Sequence, residues 1–332
     1  MWWIDLWERE PFPEAAARIL YGGVPAVIYV IFLGIALWLV PLPRTVVQAP
    51  LVEEAVKGLG ILFLFSTAYR RRSSRKESSD RGSSWVLPKV IFLNLLGKNS
   101  TGERELDTPL DGLIYGALVG FGFALTENIF YYGAFEGSPA SLLRFVFVRS
   151  VLLGFAHAMF SGMLGLGIGI GRNRKGLGRL LFPLGGYILA VLMHGSYNYF
   201  VLQNLLGFTV LYVYLLVGMG ITLMILILQE RAWIQSGLED EIARGILTQD
   251  EVNLAVDYGY RLAVDLNLLG KDRAAWLEKY RFLQSCAELA LKKRRLLAGQ
   301  TKEVGFQELD DLRSRVYHLR EHIQDHLPPD AD

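Results

Sequence analysis

The sequence predicts an all-α protein: a polytopic membrane helical bundle of about six spans, followed by a soluble helical domain. Three observations carry this reading. Hydrophobic residues make up 52% of the 332-residue chain and charged residues only 20%; the mean hydropathy is +0.29. Together these lie above the usual range of soluble domains. Six apolar runs are each long enough to cross a bilayer core, which takes roughly 17–25 residues at about 1.5 Å of rise per residue. After the last run the pattern changes to interspersed charge at helical spacing, from Gln229 to Asp332. The net charge of +1 does not point to a nucleic-acid partner, and none is expected. The single cysteine, Cys286, excludes a disulfide framework or a cysteine zinc site and reads as an ordinary helix residue.

Residues 1–21 read as an N-terminal interfacial segment, with Trp2, Trp3 and Trp7 suited to the headgroup belt. The first span is Gly22–Val40. Asp5, Glu8, Glu10 and Glu14 precede it and no positively charged stretch does, so it reads as a retained span rather than a signal peptide. The others are Val46–Ala68, Leu110–Gly133, Phe145–Ile170, Leu180–Gln203 and Leu205–Leu228. Trp85–Leu96 is apolar but short and contains Pro88 and Lys89, which fits an interfacial segment. Its polar flanks, Arg70–Ser84 and Leu96–Thr108, read as flexible loop. Residues 22–228 are thus the membrane domain, with a basic loop at 69–109, and residues 229–332 a soluble helical domain. That domain opens with a capping box, Thr248-x-x-Glu251, and continues in helical runs at Ala274–Leu297 and Gln307–His326. His318, His322 and His326 read as a solvated face. So does the basic run Lys292–Arg295, with anionic lipid as the alternative contact.

Orientation follows from the basic loops. Arg70, Arg71, Arg72, Arg75 and Lys76 open the 69–109 loop, and Arg172, Arg174, Lys175 and Arg179 follow the fourth span. The opposite loops hold little beyond Arg44 and Arg144. The positive-inside rule then places both termini and the soluble domain in the cytoplasm of a multi-pass cell-membrane protein. The soluble domain is expected to bind a regulatory partner or serve assembly, and to be dispensable for chemistry.

Four spans carry groups that hydrocarbon does not tolerate: Glu53, Glu54 and Lys57 on the second, Glu127 on the third, His157 on the fourth and His194 on the fifth. Each ionisable group near mid-bilayer costs about 2.5–3.5 kcal/mol on insertion scales, which marks them as functional. Counting rises from the outer helix ends puts them in one layer, roughly 9–18 Å deep. Small residues share their faces: Gly112, Gly116, Gly120 and Ala124 run beside Glu127, Ser161, Gly165 and Gly169 beside His157, and Gly186 and Ala190 beside His194. Glu53 and Lys57, four apart, are equally readable as a neutralising pair that leaves Glu54 unmatched. Arg149 reads as snorkelling outward or as holding a substrate carbonyl. Glutamates that take a proton from water, with imidazoles that donate protons or bind an oxyanion, suggest hydrolysis. No Gly-x-Ser-x-Gly elbow or His-Glu-x-x-His helix is present. A proton- or ion-coupled transporter would favour inverted repeats and interrupted helices, which the sequence lacks; a non-catalytic membrane scaffold could lose the polar set without consequence.

Glu53-Glu54-Ala-Val-Lys57, Phe123-Ala-Leu-Thr-Glu127-Asn128, His157-Ala-Met-Phe-Ser161 and His194-Gly-Ser-Tyr-Asn198 resemble, in order, the four motifs of the PrsW intramembrane proteases. The resemblance runs from about Ala49 to Asn198 and includes Asp111-Gly112 at the opening of the third span. In the wider superfamily of CAAX prenyl endopeptidases and bacteriocin-processing proteins the first motif usually ends in Arg and the second carries His where this chain has Glu127, so the PrsW branch is the nearer one. The resemblance implies hydrolysis of a peptide bond in a membrane protein substrate, anti-sigma factors being the best-known type. Glu54 or Glu127 would activate water, His157 and His194 polarise the carbonyl or donate protons, and Asn198 support the oxyanion. Lys57 would orient or neutralise Glu53, with Phe123, Asn128, Ser161 and Arg149 in support. Two histidines and a glutamate, Glu127 or Glu54, would make a three-ligand site for a divalent metal such as zinc. The same groups suffice for a metal-free glutamate mechanism, and no cofactor is fixed by the sequence.

Overall fold

The computed structural model describes residues 12–36, 41–76, 108–172, 174–257, 259, 273–297 and 304–321, and all regular structure among them is helical. Trp2, Trp3 and Trp7, the expected interfacial segment Trp85–Leu96 with the loop around it from residue 77 to 107, and His322 and His326 lie outside the described residues. The chain forms two compact units, whose described parts are residues 12–224 and 225–321.

The first unit begins with α1 (Phe12–Gly23) and α2 (Pro25–Ala36). The expected span from Gly22 is thus interrupted at Val24, because Pro25 has no N–H to give to the preceding turn, while the bonds from Val24 to Leu20 and from Ile28 to Val24 carry the helix on. The apolar stretch begins earlier, at Ala16. A π-helical turn, Arg44–Gln48, leads into α3 (Ala49–Lys76), which runs past its expected end at Ala68. Next comes α4 (Pro109–Gly133), which starts at a capping box. Thr108 Oγ1 accepts the Asp111 N–H at 3.2 Å, and Asp111 Oδ2 accepts the Thr108 N–H at 2.7 Å.

The expected fourth span, Phe145–Ile170, is not one helix. It consists of α5 (Pro139–Phe147), a π-helical turn at Val148–Leu152 and, after a break containing Gly154, α6 (Ala156–Arg172). The π turn resets the helical register and the glycine weakens continuation, so His157 falls in the first turn of α6 rather than deep along a span. Then follow α7 (Gly178–Gln203) and the 39-residue α8 (Leu205–Ala243), which at about 1.5 Å per residue is far longer than the bilayer core. Five helices among the described residues are long and apolar enough to cross a membrane: Ala16–Gly34, Pro109–Gly133, Pro139–Arg172 taken through its break, Gly178–Gln203 and Leu205–Ala243. The protein is a multi-pass all-α membrane protein. The second expected span, Val46–Ala68, lies on α3, whose early turns hold Glu53, Glu54 and Lys57.

The predicted small-residue stripes of α4 and α6 meet each other. A Cβ at Gly112, Gly116 or Gly120 would run into the carbonyl oxygens of Gly165, Ser161 and His157 respectively. The two backbones therefore touch directly, and each glycine is there because no side chain fits.

In the second unit the end of α8 packs with α9 (Gln249–Val256), α10 (Arg273–Leu297) and α11 (Val304–Glu321). Ile234, Leu238, Leu254, Phe282, Leu289 and Val316 form its apolar centre, which also encloses Cys286. The basic run expected to be a solvated face is turned to internal use. Lys292 pairs with Glu308 at 2.9 Å, Lys293 with Asp240 and, at 3.0 Å, Glu241, and the Arg294 guanidinium lies 3.3 Å from the centre of the Trp233 ring. Buried Glu241 also accepts from Arg313, Nε to Oε2 at 3.0 Å and Nη2 to Oε1 at 3.0 Å. Burial by itself would raise the Glu241 carboxyl, but the hydrogen bonds from Arg313 and Lys293 outweigh it and hold it below the ordinary carboxylate range. A depressed pKa stabilises the fold above the unfolded value and loses that contribution as pH falls through the folded one. Acidification below about pH 4.3 should therefore weaken this unit. Glu241→Gln should flatten that pH dependence and cost about 3 kcal/mol at neutral pH, measured by denaturant unfolding followed at Trp233.

Candidate active site

Glu54 and Lys57 are completely buried on α3, one helical turn apart. The Lys57 ammonium donates to Glu54 Oε1 at 2.8 Å and lies 3.6 Å from Glu53 Oε2. The Glu53–Lys57 pair that spacing allowed is thus present, but Glu54, which that reading left unmatched, holds the closer contact. Tertiary partners decide it. Ser161 Oγ on α6 donates to Glu54 Oε2 at 2.9 Å, and His194 Nδ1 on α7 lies 3.0 Å from Glu54 Oε1. Both Glu54 oxygens are thus engaged, while Glu53 Oε2 is a buried oxygen with no hydrogen-bond partner. Such an atom costs about 1–3 kcal/mol or more and calls for a ligand.

Carboxylates only accept and ammonium only donates, so the two imidazoles have defined tautomers. His194 gives its Nδ1–H to Glu54, which leaves the Nε2 lone pair 3.8 Å from Glu53 Oε2. His157 Nδ1 accepts from Lys57 at 3.1 Å, and its Nε2–H is given to Glu127 Oε2 at 3.1 Å. The rings meet edge to face with centroids 4.9 Å apart. Glu53, His157 and His194 each bring one ligand atom within 4.8 Å of the others. With one nitrogen of each histidine held by a carboxylate and an orphaned Glu53 oxygen between them, these residues fit a divalent metal. The sequence reading had given the carboxylate ligand to Glu127 or Glu54; here Glu53 is the better placed. Three carboxylates against Lys57 and Arg149 also leave the cluster net negative.

Glu127 is the open member of the set, with a quarter of its side chain exposed. Arg149 reaches it from the π turn before α6, Nη2 to Oε2 at 3.0 Å, while its Nε donates to Asn128 Oδ1 at 2.9 Å. Arg149 thus turns into the cluster, against the expectation that it snorkels. Phe123 lies under the Lys57 ammonium at 4.0 Å and beside the His157 ring at 5.2 Å. Asn198 is engaged elsewhere: its amide donates to the Thr45 carbonyl at 2.8 Å, tying α7 to the π turn before α3. Two residues that sequence reasoning did not single out belong here. Phe160 stacks on His194 with centroids 4.9 Å apart, and Tyr131 receives the Arg149 guanidinium at 3.7 Å. Their spacing from His157 and Glu127, three and four residues, was the available signal.

Helices of this length around a buried Glu–His–Lys centre define a polytopic membrane protein with the groups for hydrolysis. The profile of the PrsW family intramembrane metalloproteases matches residues 10–227, well over half of the chain. The chain belongs to that family. It is 27% identical over 148 residues to the protease PrsW of Bacillus subtilis (strain 168), covering 42% of this chain and 65% of the relative. It is 36% identical over 108 residues to that of Shouchella clausii (strain KSM-K16), covering 32% and 46%. For the protease PrsW of Oceanobacillus iheyensis the identity is 28% over 109 residues, covering 33% and 47%. In each case the chain spans less than two thirds of the relative's length. No solved structure matches it.

Proposed function

We propose that the protein is an intramembrane endopeptidase that hydrolyses a peptide bond of a membrane protein. The observation that carries this reading is the convergence of Glu53, Glu54, Glu127, His157 and His194 from four helices into one cluster of hydrogen bonds and ion pairs. Glu53, His157 and His194 are the residues that would hold a metal. Bound there, a divalent ion such as zinc would supply Lewis-acid polarisation of the scissile carbonyl and of water.

The chain's own groups divide the remaining work. Glu127 is the proton acceptor: Arg149 and His157 both bond its Oε2, and Oε1 is left to take a proton from water and return it to the leaving amine. Glu54 holds His194, and Glu127 through the same oxygen holds His157, so each imidazole has a fixed direction. Arg149, a quarter exposed, can turn one N–H to a substrate carbonyl. The cytoplasmic placement of both termini, a boundary between membrane and soluble domains near residue 228, and a regulatory role for the soluble domain belong to the same proposal. An anti-sigma type substrate is the first to try.

The test uses purified full-length protein with a candidate single-span substrate. Cleavage should be lost in Glu127→Gln, His157→Ala and His194→Ala, and lost on chelation with recovery on adding zinc. Cleavage retained in all three variants would overturn the site, and cleavage indifferent to chelation would remove the metal from it.

A further inference from the structure

Lys57 is among the largest side chains with no exposure, and its surroundings exceed what one ion pair requires. Its ammonium is fastened to Glu54 at 2.8 Å and rests on the Phe123 ring at 4.0 Å. Its other contacts are with the candidate metal ligands: His157 Nδ1 at 3.1 Å and Glu53 Oε2 at 3.6 Å. The Nδ1 lone pair is the one His157 would offer, because Nε2 is bonded to Glu127. An ammonium and a metal ion cannot use that lone pair together, and at such distances two cations repel strongly in a medium of low dielectric constant.

We infer that Lys57 is an internal cation that competes with the divalent metal for His157 and Glu53, so that loading the site requires its ammonium to withdraw from both. This rests on the ligand set proposed above. The withdrawn ammonium keeps an anchor, since Glu54 and the Phe123 ring are not claimed by the metal. The four-carbon stem of lysine permits such a shift, whereas a planar guanidinium with five fixed donors does not. Metal held against this competitor is exchangeable, and the protein sets its own loading threshold.

Zinc binding measured by equilibrium dialysis on purified full-length protein tests this without any substrate. Lys57→Met should bind zinc at least about 10-fold more tightly than the parent, and its thermal midpoint should rise more on adding zinc than the parent's does. Lys57→Arg, which keeps the charge and so the pairing with Glu54, should bind at least about 10-fold more weakly. Glu53→Gln should bind least. If Lys57→Met does not fold without zinc, its affinity is not compared and Lys57→Arg alone decides, weaker binding than the parent supporting the inference and equal binding overturning it. Equal affinity in parent and Lys57→Arg, weaker or equal affinity in Lys57→Met, or no zinc binding by any of them overturns it. A protein that shows the Lys57 dependence yet cleaves no substrate would overturn the protease reading and leave this inference standing.

Discussion

Glu127→Gln is expected to remove cleavage and leave the membrane unit folded, whereas Glu54→Gln is expected to lower stability as well as activity. The two glutamates lie on different helices, α3 and α4, and differ physically in one respect: what remains when the charge is deleted. Glu127 is partly exposed, and its partners Arg149 and His157 keep Asn128 and Lys57 respectively. Its loss removes the proposed proton acceptor, worth about 10²–10⁴ in rate. Glu54 is wholly buried and is the nearest counter-charge of Lys57. Gln at that position leaves a buried ammonium short of its partner and releases His194, for about 3–5 kcal/mol. Turnover of a single-span substrate beside thermal unfolding in the same detergent separates the two effects. A stability loss in Glu127→Gln equal to that in Glu54→Gln would refute this division of roles.

Gly116→Leu is expected to disrupt the membrane unit, at a cost of about 3 kcal/mol or more, because a side chain there meets the Ser161 carbonyl rather than a movable side chain. Pushing α4 from α6 would also part Glu127 from His157 and Ser161 from its register with Glu54. Gly218 on α8 is the control, since a Cβ there has nothing within 4 Å. Gly218→Ala should be neutral or stabilise by about 0.4–1 kcal/mol. Thermal unfolding followed by circular dichroism distinguishes them, and equal melting of the two variants would refute the close contact.

The residues of the candidate site could be found in the sequence because hydrocarbon makes Glu127, His157 and His194 conspicuous. Helical spacing likewise showed which small residues lie on the same faces. Spacing could not assign Lys57, because positions three and four residues back both face it; only Ser161 and His194, more than a hundred residues away, distinguish Glu54 from Glu53. The π turn at Val148–Leu152 had no signal in an apolar run, so Arg149 was read as pointing outward. Lys292–Arg295 was misread for a related reason. A run of like charge looks solvated until Asp240, Glu241 and Trp233, some fifty or more residues earlier, are brought against it.

The glycine contact between α4 and α6 has a consequence for how a substrate reaches the centre. Side chains between helices act as a compressible layer that lets them shear; carbonyl oxygens against glycine Cα atoms provide none. The pair behaves as a fixed rail, and a path to Glu127 cannot open by parting it. Under the proposed function, the segment expected to yield is instead the short α5 and the π turn that carries Arg149, where the helix is already discontinuous.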